Sequence, residues 1–84
     1  MFVKHQRNIE FCKAFGVNLK RLRLEKGFKK REFAIEVDME YSHLSKVERG
    51  DTNPTISTIY KFAEVLKISS KELFDFKFPA KPKK

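Results

Sequence analysis

Between Gly27 and Gly50 the chain reads GFKKREFAIEVDMEYSHLSKVERG, and the spacing of its apolar residues leaves few ways to fold. Phe33 and Val37 are four apart, Leu44 and Val47 are three apart, and Met39 falls between the pairs. Spacings of three and four put side chains on one face of a helix, so the stretch describes two short helices that cross at a tight turn. Met39 then plugs the angle between them, and the small Ala34 faces the crossing, where a larger side chain would push the helices apart.

The second of these helices turns a mostly polar face outward, which is the form of a unit that enters the DNA major groove. The residues resemble the helix-turn-helix of the phage repressor and Cro (XRE-type) family of transcription regulators. The family's first-helix pattern is met by Phe15, Leu19, Leu22, Arg23 and Gly27, and its central signature by Leu44, Ser45, Val47, Glu48, Arg49 and Gly50. Its later pattern is met by Asn53, Pro54, Ile59, Ala63, Leu66, Leu73 and Phe74, so the resemblance runs from Phe15 to Phe74. It implies an all-α, compact five-helix repressor-like DNA-binding domain.

A chain of 84 residues has room for one such domain. It buries only about 60% of its unfolded surface, and dimerisation would help it. The formal net charge of +8 favours polyanionic partners, although scattered Lys on a small helical protein also serves solubility. Distribution argues for the partner. Lys20, Arg21, Arg23, Lys26, Lys29, Lys30 and Arg31 crowd one stretch with the single acid Glu25, whereas Glu32 to Glu40 holds four acids and no base.

Residues 1–14 are expected to form an extension, partly helical and continuous with helix one, followed by the helix-turn-helix domain at 15–75. A Phe-containing segment and basic tail at 76–84 complete the chain. Ile9, Cys12, Phe15, Leu19 and Leu22 recur at helical spacing, so helix one can begin at Asn8 and end at Gly27, a left-handed cap. Thr55 is a good N-cap for a helix through Leu66 with Ile56, Ile59, Phe62, Ala63 and Leu66 buried. Ser69 and Glu72 have capping-box spacing before a short fifth helix holding Leu73 and Phe74. Phe74, Phe76 and Phe78 then alternate as in a strand, and AKPKK reads as a disordered tail. The turn between helices two and three falls at Asp38, where the family usually has Gly. Asp tolerates a positive φ better than most residues, so the turn survives.

The resemblance also implies roles for individual residues. The start of the third helix faces base edges in the family, which maps to Glu40, Tyr41, Ser42 and Lys46. Ser42 can donate or accept, Lys46 could reach guanine or a phosphate, and Tyr41 could meet a thymine methyl or pack on the domain surface. Glu40 is favoured at a helix N-terminus by the dipole, and it also stands where it could accept from cytosine or repel a phosphate. Phosphate contacts fall to Lys29, Lys30, Arg31, His43, Arg49 and the helix start at Thr55. Lys29 is a poor N-cap, so that helix start is expected to fray until DNA supplies acceptors. The family commonly has Gln in place of Lys30, where it touches a phosphate and braces the first residue of the reading helix; Lys is expected to keep the first role and lose the second. Arg23 and Glu48 match a partly buried ion pair. Leu73, Phe74, Phe76 and Phe78 form the expected homodimer interface, because apolar rings beyond the core need cover.

An enzyme is not expected, since no Gly-rich phosphate loop, His-Glu-x-x-His or Cys-x-x-Cys is present, and no cofactor or metal is implied. Cys12 is alone and reads as a packing residue. Without an apolar run long enough for a membrane span or a signal peptide, a cytoplasmic location is expected. The expected function is a sequence-specific regulator, most simply a repressor, that binds a palindromic operator on double-stranded DNA as a homodimer. The alternative is a protein-interaction module of the same fold, an antitoxin or adaptor with a toxin or other protein partner.

Overall fold

In the computed structural model, residues 8–78 are described. They form five helices: α1 (Ile9–Glu25), α2 (Lys30–Glu36), α3 (Tyr41–Arg49), α4 (Ile56–Leu66) and α5 (Ser70–Leu73), with no strand among the described residues. The basic tail AKPKK and the first seven residues lie outside this range.

Side-chain oxygens begin three of the helices. Asn8 Oδ1 accepts from the Phe11 amide at 2.8 Å, Thr55 Oγ1 from the Thr58 amide at 3.2 Å, and Ser69 Oγ from the Lys71 amide at 3.1 Å. Ser69 therefore does not complete a capping box through the Glu72 amide. At α2, Glu32 reaches back to accept from the Lys29 amide at 3.0 Å, which caps a helix start that the Lys29 side chain cannot cap.

α1 to α4 all end alike. A residue with positive φ follows each helix or its final turn: Gly27 at 84°, Asp38 at 58°, Gly50 at 82° and Lys67 at 57°. In each case that residue's amide bonds back to the carbonyl three before it, and the next amide reaches the carbonyl five before it, as in Asp38 to Ile35 and Met39 to Ala34. This pairing satisfies carbonyls that the helix leaves open and turns the chain sharply.

The core is one cluster drawn from all five helices: Phe15, Leu19 and Leu22 of α1, Phe33, Ala34 and Val37 around α2, Leu44 and Val47 of α3, Phe62, Ala63 and Leu66 of α4, and Leu73 of α5. Two residues expected on buried faces are not there. Ile9 is 50% exposed because it sits in the first turn of α1, ahead of the helices that cover the rest of that face, and Ile56 is 87% exposed in the first turn of α4. The alternating phenylalanines form no strand, since none of the described residues forms a second strand to take up their backbone groups. Their rings gather instead on Phe11, with centroids at 6.2 Å for Phe74, 5.4 Å for Phe76 and 5.1 Å for Phe78.

α1 holds α3 at backbone distance. A Cβ on Gly16 would collide with the Glu48 carbonyl oxygen and lie 2.6 Å from that of Val47, and a Cβ on Gly50 would lie 2.6 Å from Lys13 Cα. Further along the same crossing, Arg23 Nε donates to Glu48 Oε2 at 2.7 Å and Nη2 donates to Oε1 at 3.2 Å, while Nη1 donates to the Phe28 carbonyl at 2.9 Å. Both side chains are buried. Asn18, also buried, ties α1 to α5: its Nδ2 donates to the carbonyls of Glu72 at 3.0 Å and Leu73 at 2.9 Å, and its Oδ1 accepts from Arg21 at 2.7 Å.

Removing one partner of a buried pair strands the other charge. Glu48→Ala should therefore cost about 3 to 5 kcal/mol in urea unfolding, whereas Glu64→Ala, which breaks an exposed contact to Lys61 at 3.6 Å, should change stability by less than about 1 kcal/mol. Equal midpoints for the two variants would show that the Arg23–Glu48 pair does not hold the crossing.

Candidate nucleic-acid interface

α3 buries Leu44, Val47 and Glu48 and leaves the opposite face to solvent. At 100° per residue, Ser42, Lys46 and Arg49 point away from the core, with Tyr41 and His43 on the two flanks. All five are exposed. No other described helix covers this face.

The flank at the start of α3 is cationic. Lys30 and Arg31 open α2, and both converge on the Tyr41 ring: Lys30 Nζ lies 5.5 Å from its centroid and Arg31 Cζ lies 5.1 Å from it. Lys30 Nζ also donates to Ser45 Oγ at 3.4 Å and lies 3.8 Å from Glu48 Oε1. Lys30 thus braces α3, through a ring, a hydroxyl and a carboxylate. The expected loss of bracing does not occur, because an ammonium can meet an aromatic neighbour where an amide is missing.

The opposite flank is mixed. Glu40 is the N-cap residue of α3, yet its side chain makes no capping hydrogen bond. With His43, Asp38 and Met39 it lines a hollow whose far wall is Ser57, Thr58 and Lys61 of α4. Thr55 uses its hydroxyl within the cap, accepting from the Thr58 amide and donating to Thr58 Oγ1 at 3.0 Å. At the end of α3, Arg49 Nε donates to Asp51 Oδ2 at 2.9 Å in an exposed pair.

The seven clustered bases of the sequence do not form one patch. Arg23 is internal, and Arg21 pairs with Glu25 at 2.6 Å and with Asn18. Lys30 and Arg31 remain beside α3, where Lys46 and Arg49 add to them. Among the expected interface residues, Leu73 is fully buried in the core of its own chain, so it has no surface to offer a partner. It was expected at the interface with the phenylalanines that follow it; the packing of α5 against α1, held by Asn18, puts it inside. Phe74 is exposed, and Phe76 and Phe78 are half-buried.

Among the described residues, no group of three or more His, Cys, Asp or Glu could hold a metal ion, and no helix is long and apolar enough to cross a membrane.

This arrangement, a polar exposed helix set by a tight turn against a second helix and flanked by cations, defines a DNA-binding helix-turn-helix domain. The helix-turn-helix family model HTH_3 matches residues 19–73, and the chain belongs to this XRE-type family of DNA-binding transcriptional regulators. It is similar to the uncharacterized HTH-type transcriptional regulator y4dJ of Sinorhizobium fredii, with 41% identity over 65 residues covering 77% of this chain and 84% of that protein. It is also similar to control protein C.BamHI of Bacillus amyloliquefaciens, with 33% identity over 63 residues covering 74% of this chain and 78% of that one. The crystal structure of the restriction-modification controller protein C.AhdI from Aeromonas hydrophila superposes with a TM-score of 0.73 at 35% identity, covering 75% of this chain and 96% of that chain.

The turn that sets α3 against α2 depends on Asp38 at positive φ. Asp38→Gly should match or exceed the parent by up to about 1 kcal/mol, and Asp38→Val should lose about 1 to 2 kcal/mol, because a β-branched residue resists this region. Urea unfolding measures the order; a Val variant as stable as the parent would mean that the turn relaxes to another backbone path.

Proposed function

We propose that the protein is a repressor that binds a palindromic operator as a homodimer, with α3 in the major groove. Glu40, Ser42 and Lys46 face the base edges, with Tyr41 on the flank toward Lys30 and Arg31, while Lys29, Lys30, Arg31, His43, Arg49 and the α4 start at Thr55 meet phosphates. The observation that carries this reading is the bare outward face of α3, polar along its length and flanked by Lys30 and Arg31 on one side and by Arg49 at its end. Phosphate contacts fix register and base contacts carry sequence, so a polar strip between cations suits both tasks. The relatives named as control proteins support a regulator that acts on DNA.

A homodimer is supported by surface as well as by geometry. Ile56, Tyr60 and Phe74 are all exposed, and Ile56 and Phe74 line one apolar groove with Phe11, Phe15 and Pro54. Ile56 and Tyr60 are four apart on α4 and share its outer face. A two-fold axis through this patch would cover it with its own copy and present two reading helices to successive half-sites. The interface is thus drawn from Ile56, Tyr60 and Phe74 rather than from Leu73, with Phe76 and Phe78 folded onto Phe11 behind it. Ile56→Lys should convert a dimer to a monomer in light scattering at micromolar concentration while leaving the fold intact by circular dichroism. Persistence of the dimer would remove this patch as the interface.

Base and phosphate contacts separate in a titration by fluorescence anisotropy. The probes are a duplex selected by the protein from a randomised library and a scrambled duplex of the same length. Lys30→Ala should weaken both and lower the logarithmic salt slope by about one unit per subunit. Ser42→Ala should weaken only the selected duplex, by about 1 to 3 kcal/mol per half-site. If the parent protein cannot enrich any sequence and α3 variants are silent, the protein-interaction reading, with a toxin or other partner, replaces this one.

A further inference from the structure

Tyr41 is nearly half exposed, and its hydroxyl makes no hydrogen bond among the described residues. Its ring face is where the contacts are. Two like-charged heads from the first turn of α2, Lys30 Nζ at 5.5 Å and Arg31 Cζ at 5.1 Å, gather over a ring that belongs to the first turn of α3. Left to themselves, two adjacent cations on flexible stems repel and spread into solvent; a ring quadrupole offsets that repulsion and fixes where they stand.

We propose that Tyr41 is a positioning residue for phosphate binding: its ring holds Lys30 and Arg31 in place before DNA arrives, and it contributes affinity through them without reading a base by its hydroxyl. The inference rests on the reading of α3 and its flanks as the DNA interface. Lys30 is suited to the part because its second anchor is weak. It lies 3.8 Å from Glu48 Oε1, on a carboxylate already matched by the bidentate Arg23, so a phosphate can draw it outward without stranding a buried charge. Arg31 has no acid within ion-pair distance among the described residues, and the ring is the contact that restrains its head. Pre-ordering two long side chains lowers the entropy lost when they bind.

The test compares Tyr41→Phe, which keeps the ring and removes the hydroxyl, with Tyr41→Leu, which keeps apolar bulk and removes the ring. In NMR spectra of the free protein, the Lys30 ε-CH2 and Arg31 δ-CH2 protons should be shifted upfield by the ring in the parent and in Tyr41→Phe, and should return to ordinary values in Tyr41→Leu. Affinity for the selected and the scrambled duplex should be unchanged in Tyr41→Phe. Tyr41→Leu should weaken both by the same factor, about three- to ten-fold, as expected for the loss of a pair of partly exposed cation–ring contacts. Thermal melting confirms that both variants are folded. The inference is overturned if Tyr41→Phe weakens the selected duplex alone, which would make the hydroxyl a base contact. It is also overturned if Tyr41→Leu binds both duplexes like the parent while Lys30→Ala does not. Silence of Lys30→Ala and Arg31→Ala on both duplexes would instead remove the interface beneath it.

Discussion

Glu48 meets α1 twice, through its main-chain carbonyl against Gly16 and through its carboxylate against Arg23. The orientation of α3 depends on both contacts. A larger residue at 16 would push the end of α3 off α1, and a missing guanidinium would leave a carboxylate buried without a partner. A buried ion pair is a weak source of net stability, since desolvation offsets most of its attraction. Its value here is directional. Two parallel hydrogen bonds admit one mutual orientation, and the third donor of Arg23, bonded to the Phe28 carbonyl, carries that orientation to the chain entering α2. The angle between the two helices of the motif is thus referred to α1, a helix outside the motif.

The charge of the molecule is arranged by the same framework. Two of the bases that crowd the sequence around α1, Arg21 and Arg23, are paired with a local acid or held internally, so net charge overstates the cationic surface next to α3. What remains there is small and placed: Lys30 and Arg31 gathered on Tyr41, Lys46 on the outward face, and Arg49 held by Asp51. Long-range attraction to a polyanion depends on the total, but contact geometry depends on these few.

Much of the fold was legible because local chemistry and tertiary packing agree. Phe33, Leu44 and Val47 sit at helical spacing and are in fact core; Asn8 and Thr55 are caps where a capping side chain precedes an apolar run; Asp38 bears the positive φ that the turn requires. The residues that escaped notice are those whose role lies in another part of the chain. Asn18 in mid-helix reads as a surface residue, and only the approach of α5 makes it a cap for carbonyls far away in sequence. Gly16 reads as a weakness in a helix until α3 is laid against it. Lys67 carries no turn signature, yet takes a left-handed conformation because the chain must reverse after α4. The exposure of Ile56 inverts what periodicity suggests, and the burial of Leu73 removes it from the interface expected of it, since each depends on where neighbouring helices lie. At the candidate site, the exposure of Ser42 and Lys46 could be read from the helix period, whereas the convergence of Lys30 and Arg31 on Tyr41 joins two helices and has no linear signature.

The two bonds from Asn18 to the last turn of α5 span 54 and 55 residues, and they bear on how the molecule assembles. α1 is the longest helix and lies first in the chain, but the surfaces that cover its apolar side come from α3, α4 and α5. α1 and α2 alone leave Phe15 and Leu19 without most of their partners. As the polypeptide leaves the ribosome, these side chains must wait in contact with water, or with a chaperone, until the segment around Leu73 has emerged. Helical domains otherwise close quickly because their contacts are local. Here the completing step is a non-local closure, so a chain stalled before α5 would leave open the part of α1 that Leu73 covers, the kind of surface on which incomplete domains aggregate.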